Sequence, residues 1–318
     1  MNDNEFLLFD RITKIKSVIK QYGEENFYLS FSGGKDSTVL SALLDMAIPG
    51  NAIPRVYSNT GIEYKLILDF VEKMRGGQHS WELIIIKPNV PIKQMLERDG
   101  YPFKSKLHSR FVMQYQENGL NDISTQKYYD GEYTFKSKQC PKSLKYQFEK
   151  EMSFKISDKC CKRLKTEPIR EWQKQSGKKY GILGLMQEEG GRRENAQCLA
   201  FRNGKLKNFQ PLVAITKEWE DWFIKEYDIE ISDIYKPPYN FVRTGCKACP
   251  YGLELQHELD ILGEYFPIEL KQCEAIWQPV YEEYRRIGFR LRKDETIEGQ
   301  MTINDLFGGD YEKSTSDT

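Results

Sequence analysis

Two groups of residues in this 318-residue chain have types and spacings that can do chemistry. The first is the run Ser32, Gly33, Gly34, Lys35, Asp36 and Ser37, set between the apolar stretch 27–31 and a Leu-, Val- and Ala-rich stretch 38–47. Where a strand feeds a helix, free backbone N–H groups and the positive end of the helix dipole face outward, and glycines let an anion reach the main chain. Lys35 and the serine hydroxyls add donors. The run therefore predicts a loop that grips phosphates, with Lys35 and Asp36 as catalytic candidates. It is not a Walker A loop, which needs Gly in place of Leu29 and Ser or Thr in place of Asp36.

The second group is cysteine. Cys160 and Cys161 are adjacent, Cys246 and Cys249 form a C-x-x-C pair, and the 84 residues 162–245 lie between the two pairs. Thiolates that surround a metal come in close pairs, and four of them suit zinc or an iron–sulfur cluster. Buried or redox-active thiols without a ligand are the third reading. Cys140, Cys198 and Cys273 read as non-ligands. The odd count of seven in a chain this long argues against a disulfide framework.

The elements that must position these groups alternate. A 3.6-residue pattern predicts an amphipathic helix up to about Gln21. Strands follow at 27–31, 54–58 and 81–86, and helices at 38–47, 64–74 and 92–97. Such alternation predicts an α/β fold with an open, doubly wound, mostly parallel sheet. From about 100 to 159 the periodicity weakens, and the segment reads as lids and short helices. A helix at 161–173, a strand at 180–185, an aromatic-rich helix at 219–227 stopped by Pro237 and Pro238, and a helical stretch at about 249–287 complete the expectation. The domain division is 1–235 for the α/β unit with its basic insertion, 236–307 for a helical part carrying the second cysteine pair, and 308–318 for a disordered tail.

On these residues the chain resembles a known family. Ser32-Gly-Gly-Lys-Asp-Ser37 looks like the pyrophosphate loop of the PP-loop, adenine nucleotide α-hydrolase-like group, whose Rossmann-like domain grips phosphates next to adenosine. The stretch YSNTGIEY, with Asn59, Thr60, Gly61 and Glu63, resembles the strand-end motif of the phosphoadenosine phosphosulfate (PAPS) reductase-like family, which has Asp where Asn59 stands. GILGLMQEEGGRR resembles that family's later strand and phosphate-facing arginines, here Arg192 and Arg193, and the run from QPLVAITKEW to GCKACPYG continues the likeness through a Pro-Leu strand and a Trp-bearing helix. The resemblance spans about 26–252.

What the resemblance implies is an adenine nucleotide site at Ser32–Ser37 and Asn59–Glu63, and a [4Fe-4S] cluster on Cys160, Cys161, Cys246 and Cys249, with zinc as the alternative. Sulfonucleotide reductases of the family use a cysteine in a C-terminal Glu-Cys-Gly motif. That motif is missing: Cys273 lies in KQCEAIWQP, a helical pattern. An ATP pyrophosphatase that activates a substrate for sulfur transfer is therefore expected, with Mg²⁺ and with Lys35, Asp36, Arg192 and Arg193 stabilising charge. The alternatives are a reductase acting on adenosine phosphosulfate (APS) or PAPS, and a non-catalytic nucleotide-binding subunit.

Composition bounds the partners. Net charge is zero and hydrophobic residues are 39% of the chain, as in an ordinary globular protein. Residues 136–179 nevertheless hold fourteen Lys and Arg against five Asp and Glu. That segment is either a solvated lysine-rich face or a surface that meets the phosphates of tRNA or DNA. A sulfur donor or thiol reductant protein is a further expected partner. No signal-like start or membrane-length apolar run is seen, so a cytoplasmic homo-oligomer without a membrane partner is expected.

Overall fold

The computed structural model describes residues 2–190 and 193–293. Helix α1 (Asp3–Tyr22) opens on a capping box, in which Asn2 Oδ1 accepts from Glu5 N–H and Glu5 Oε2 accepts from Asn2 N–H, both at 2.9 Å. Strands β1 (Phe27–Phe31), β2 (Arg55–Ser58), β3 (Leu83–Ile86), β4 (Tyr180–Ile182), β5 (Leu199–Arg202) and β6 (Lys205–Phe209) form one sheet in the order β3-β2-β1-β4-β6-β5. All neighbours are parallel except the β5–β6 hairpin. Helices α2 (Lys35–Ala47) and α3 (Lys65–Arg75) are the crossovers from β1 to β2 and from β2 to β3. They place β2 on one side of β1, while β4 pairs on the other. The order of the sheet thus reverses between β1 and β4, and a crevice opens there outside the carboxyl ends of the strands.

Apolar residues explain the layers. Phe27, Leu29 and Phe31 on β1 and Val39, Leu40, Leu43 and Leu44 on α2 are buried. α1 and α8 (Lys217–Glu226) pack on α2, and α7 (Glu167–Ser176) lies against β2 and β3.

Two expectations are corrected. Residues 100–159 hold short helices, as expected, but they are not lids: α4 (Ile92–Asp99) is followed by the 13-residue α5 (Lys106–Asn118) and by α6 (Ile123–Asp130), which join the core through Phe111, Val112 and Tyr128, and Phe148 beyond them is buried there too. Here His108 Nε2 donates to Gln147 Oε1 at 2.8 Å and Nδ1 bonds with Tyr128 Oη at 2.9 Å, a buried polar knot invisible to periodicity. The Pro211–Leu212 stretch is a turn, not a strand. The strands on its N-terminal side are β5 and β6, joined by Asn203-Gly204 with φ of 52° and 72°, a turn that Asn-Gly favours. The expected tail at 308–318 and the last part of 236–307 lie outside the described residues.

Candidate functional site

The phosphate loop leaves β1 at the crevice. Gly33 has φ 70°, which Gly adopts without strain, and a Cβ there would come within 2.9 Å of Val71 Cγ2. Ser37 Oγ donates to Gly34 O at 2.9 Å and accepts from Ser32 N–H at 3.1 Å, so the turn is closed by its own first and last serines. A Cβ on Gly34 would lie 3.1 Å from Tyr235 Oη and 3.3 Å from Thr244 Oγ1. Those two hydroxyls hydrogen-bond each other over the start of α2, and Lys35 N–H bonds to Tyr235 Oη.

The loop walls a cleft of about 630 Å³ whose other sides come from residues 183–186 after β4, Arg193, α8 and residues 235–244. The crevice defined by strand order therefore holds the loop defined by sequence. Arg193 sits close to Asp36 and Arg243; partial burial and then the Arg243 charge lower it, and Asp36 opposes them. Lys35 Nζ pairs with Asp221 Oδ1 at 3.0 Å. Glu220, on the buried face of α8, leaves Oε1 without a hydrogen-bond partner. Its carboxyl is pushed up to about 8, first by burial and then by the Asp36 charge, against which Lys35 pulls down. A cleft with Lys35 and Arg193 in its lining beside the carboxyls of Asp36 and Glu220 can bind a polyphosphate and neutralise charge developing on it.

Of the expected site residues, Ser32, Gly34, Lys35, Asp36, Ser37 and Arg193 line this cleft, and Gly33 shapes its turn. Arg192 lies outside the described residues. Asn59, Thr60, Gly61 and Glu63 follow β2 and face elsewhere. The Glu63 carboxylate accepts from Thr60 N–H, Thr60 Oγ1 and Gly61 N–H, so it closes its own turn. Thr60 Oγ1 is also 3.9 Å from Cys246 Sγ. Sequence reasoning missed Glu220, Asp221, Tyr235, Arg243 and Thr244. The first two were visible only as the acidic residues of the Trp-bearing helix, and the others carry no local signal.

The structure brings the two cysteine pairs together. Cys160 Sγ is 3.9 Å from Cys161 Sγ at the head of a π-helical turn (Lys162–Thr166), a distortion frequent at functional sites. Cys246 and Cys249 are near enough that each raises the Cys160 thiol, which is raised first by its bond to Cys161. Cys161 is lowered by that same bond and by the Lys106 and Lys165 charges. Lys165 is raised, first by Cys246. Tyr57 Oη is buried without a partner beside Glu63 and Cys246.

Helices α9 (Leu255–Tyr265) and α10 (Pro267–Ile287) hold the C-x-x-C loop. Ala248 within it has φ 43°, an uncommon conformation for alanine. It persists because Ala248 N–H donates to Tyr64 Oη at 3.0 Å, and because one face of α10 grips the neighbouring carbonyls. Trp277 Nε1 donates to Lys247 O at 3.2 Å, Tyr281 Oη to Ala248 O, and Tyr284 Oη to Pro250 O at 3.0 Å. Cys273 belongs to the same face: it is fully buried, 3.8 Å from Lys247 O, and burial pushes its thiol up to about 12. Cys140 is buried and Cys198 half-buried. Among the described residues no three His, Cys, Asp or Glu side chains are arranged to hold a single metal ion, and no helix is long and apolar enough to cross a membrane.

A Ser-Gly-Gly-Lys-Asp-Ser turn at the switch point of an open, mostly parallel sheet defines an α/β protein of the nucleotide-phosphate-binding kind. More particularly, the chain belongs to the phosphoadenosine phosphosulfate reductase domain family, whose model matches residues 26–119 and 120–251. No curated protein matches its sequence. Solved structures similar to it include a phosphoadenylyl-sulfate (PAPS) reductase from Candida auris in a phosphate complex, 12% identical over 74% of this chain and 93% of that one, with a TM-score of 0.40. An FMN adenylyltransferase from Candida glabrata is 14% identical over 77% of this chain and 63% of that one, TM-score 0.44. A U34-tRNA thiolase from Methanococcus maripaludis with its [4Fe-4S] cluster is 14% identical over 89% and 80%, TM-score 0.36.

Proposed function

We propose that this chain is an ATP-using member of its family, which activates a substrate for sulfur transfer. The observation that carries the reading is the pairing of a cation-walled phosphate cleft with the lack, among the described residues, of any thiol in its walls. Cys273, the last cysteine of the sequence, is locked into the packing of α10 and cannot act as the mobile nucleophile of a reductase.

In the proposed step an acceptor oxygen attacks the α-phosphorus of ATP, the bond from that phosphorus to the bridging oxygen breaks, and pyrophosphate leaves with the bond's electron pair. A sulfur donor then displaces AMP from the adenylated acceptor. Lys35, Arg193 and Arg243 neutralise the charge that grows on the phosphates, and the amides at the start of α2 orient them. Asp36 and Glu220 fit Mg²⁺, which is held by one or two carboxylates together with substrate phosphates, and Glu220 Oε1 is the orphaned atom such an ion satisfies. When bound, the ion supplies charge stabilisation at the leaving pyrophosphate.

Four converging thiols, two lysines that favour their ionised form and an unpartnered Tyr57 hydroxyl fit a [4Fe-4S] cluster on Cys160, Cys161, Cys246 and Cys249. Such a cluster supplies sulfur handling or a structural anchor. The test is product analysis: the purified chain, anaerobic and supplied with ATP, Mg²⁺, a sulfur source and bulk RNA or DNA, should form AMP and pyrophosphate. Sulfite release from APS or PAPS, with no pyrophosphate from ATP, would establish the reductase instead.

A further inference from the structure

A second cavity lies apart from the residues that line the nucleotide cleft. It encloses about 1190 Å³ between α5, α6, residues 133–138 and residues 194–195. Arg193 lines the cleft and the next two residues, Glu194 and Asn195, line this groove, so one short backbone segment borders both.

The groove mixes flat rings with cations. Phe135 is 62% exposed. Lys138 Nζ lies 4.9 Å from its ring centroid, and the Arg110 guanidinium 6.0 Å from that of Phe111. Gln114 and Asn195 add side-chain amides, each able to donate and accept at a base edge. Lys138 also stands in the basic run 136–179, and in the lining Arg110 and Lys138 outnumber the one carboxylate, Glu194. Protein-binding surfaces are depleted in lysine. An open ring beside Lys138, with Arg110 in the same lining, instead matches unpaired nucleic acid, in which bases stack and the backbone carries the charge.

We propose that this groove is the acceptor subsite and takes an unpaired stretch of polynucleotide, one base stacked on Phe135 and the flanking phosphates on Arg110 and Lys138. The base then points toward Arg193 and the α-phosphate in the cleft. The proposal rests on the nucleotide-activating reading of that cleft.

The test is fluorescence anisotropy of the full chain with labelled single strands of about 16 nucleotides, as RNA and as DNA, against the matching duplexes. A single strand should bind more tightly than duplex, and the stronger of the two arms identifies the sugar. Phe135→Ala should weaken binding about 5- to 100-fold. Arg110→Ala with Lys138→Ala should lower the salt slope by about 1 to 2. Both variants should keep the thermal stabilisation by ATP. Equal affinity for single strand and duplex, unaltered by Phe135→Ala, would overturn the proposal. Oligonucleotide binding without any ATP stabilisation of the wild-type chain would uphold the groove and count against the activation reading.

Discussion

Lys35 Nζ lies 3.0 Å from Asp221 Oδ1, so the lysine of the phosphate loop is tied across the cleft to α8. The Asp221 side chain is 64% exposed, and water screens such a pair to a contribution of about 0.2–1 kcal/mol. An entering phosphate displaces it readily. Asp221→Asn should therefore tighten ATP binding about 1.5- to 5-fold, whereas Lys35→Ala should weaken it roughly tenfold or more, through loss of a charge-assisted bond. Calorimetric titration of the two variants checks this, and three equal affinities would remove Lys35 from phosphate binding.

Gly34 faces Tyr235, Ser32 and Thr244 at 3.1–3.3 Å from where a Cβ would stand. Gly34→Ala should push these hydroxyls off the start of α2 and abolish nucleotide binding while the chain stays folded, because the cleft is open above them. Urea unfolding should show a loss of about 1–3 kcal/mol at most. A variant that binds ATP as the parent does would show that the hydroxyls do not set the loop.

Glu220 makes stability depend on pH. Its folded-state value of about 8 stands above the ordinary carboxylate value of 4.5, so the folded chain keeps a proton that the unfolded chain releases. Stability from this group is fully present below about 4.5 and is lost progressively as pH rises to about 8. Glu220→Gln should flatten that dependence and raise Tm at pH 8 by about 2–4 °C or more, with little change at pH 4.5. Parallel pH profiles for parent and variant would contradict the assignment.

Much of this was legible. Phe27 to Ala47 shows its strand, turn and helix in the residue types alone, since an apolar run, two glycines and a Leu-rich stretch each have one economical conformation. The cysteine pairs were legible as pairs. What the chain could not show is long-range. Glu220 meets Asp36 only because α8 packs on α2, and the grip of Trp277, Tyr281 and Tyr284 on the C-x-x-C loop depends on how α10 docks. The spacing of those three along α10 announces a buried face, not its partner. The hairpin at Asn203-Gly204 carried a signal that the charged residues around it obscured.

Tyr281→Phe deletes the hydroxyl that donates to Ala248 O and leaves that buried carbonyl unpaired. A cost of about 1–3 kcal/mol is expected. The effect should concentrate at the cysteine site, because Ala248 holds its left-handed backbone through this contact. After anaerobic reconstitution, Tyr281→Phe should retain less iron and sulfide than the parent, Cys161→Ser and Cys246→Ser almost none, and Cys198→Ser as much as the parent. Full iron content in Cys246→Ser would exclude the proposed ligand set.

The most direct test of the central claim is thermal unfolding of the anaerobic full-length chain with ATP and Mg²⁺, with APS and with PAPS, each across a concentration series. At about 100 times Kd a ligand adds roughly 2.7 kcal/mol to the folded state. The account predicts stabilisation by ATP with Mg²⁺ that disappears in Lys35→Ala. Stabilisation by a sulfonucleotide alone, with ATP inert, would contradict it.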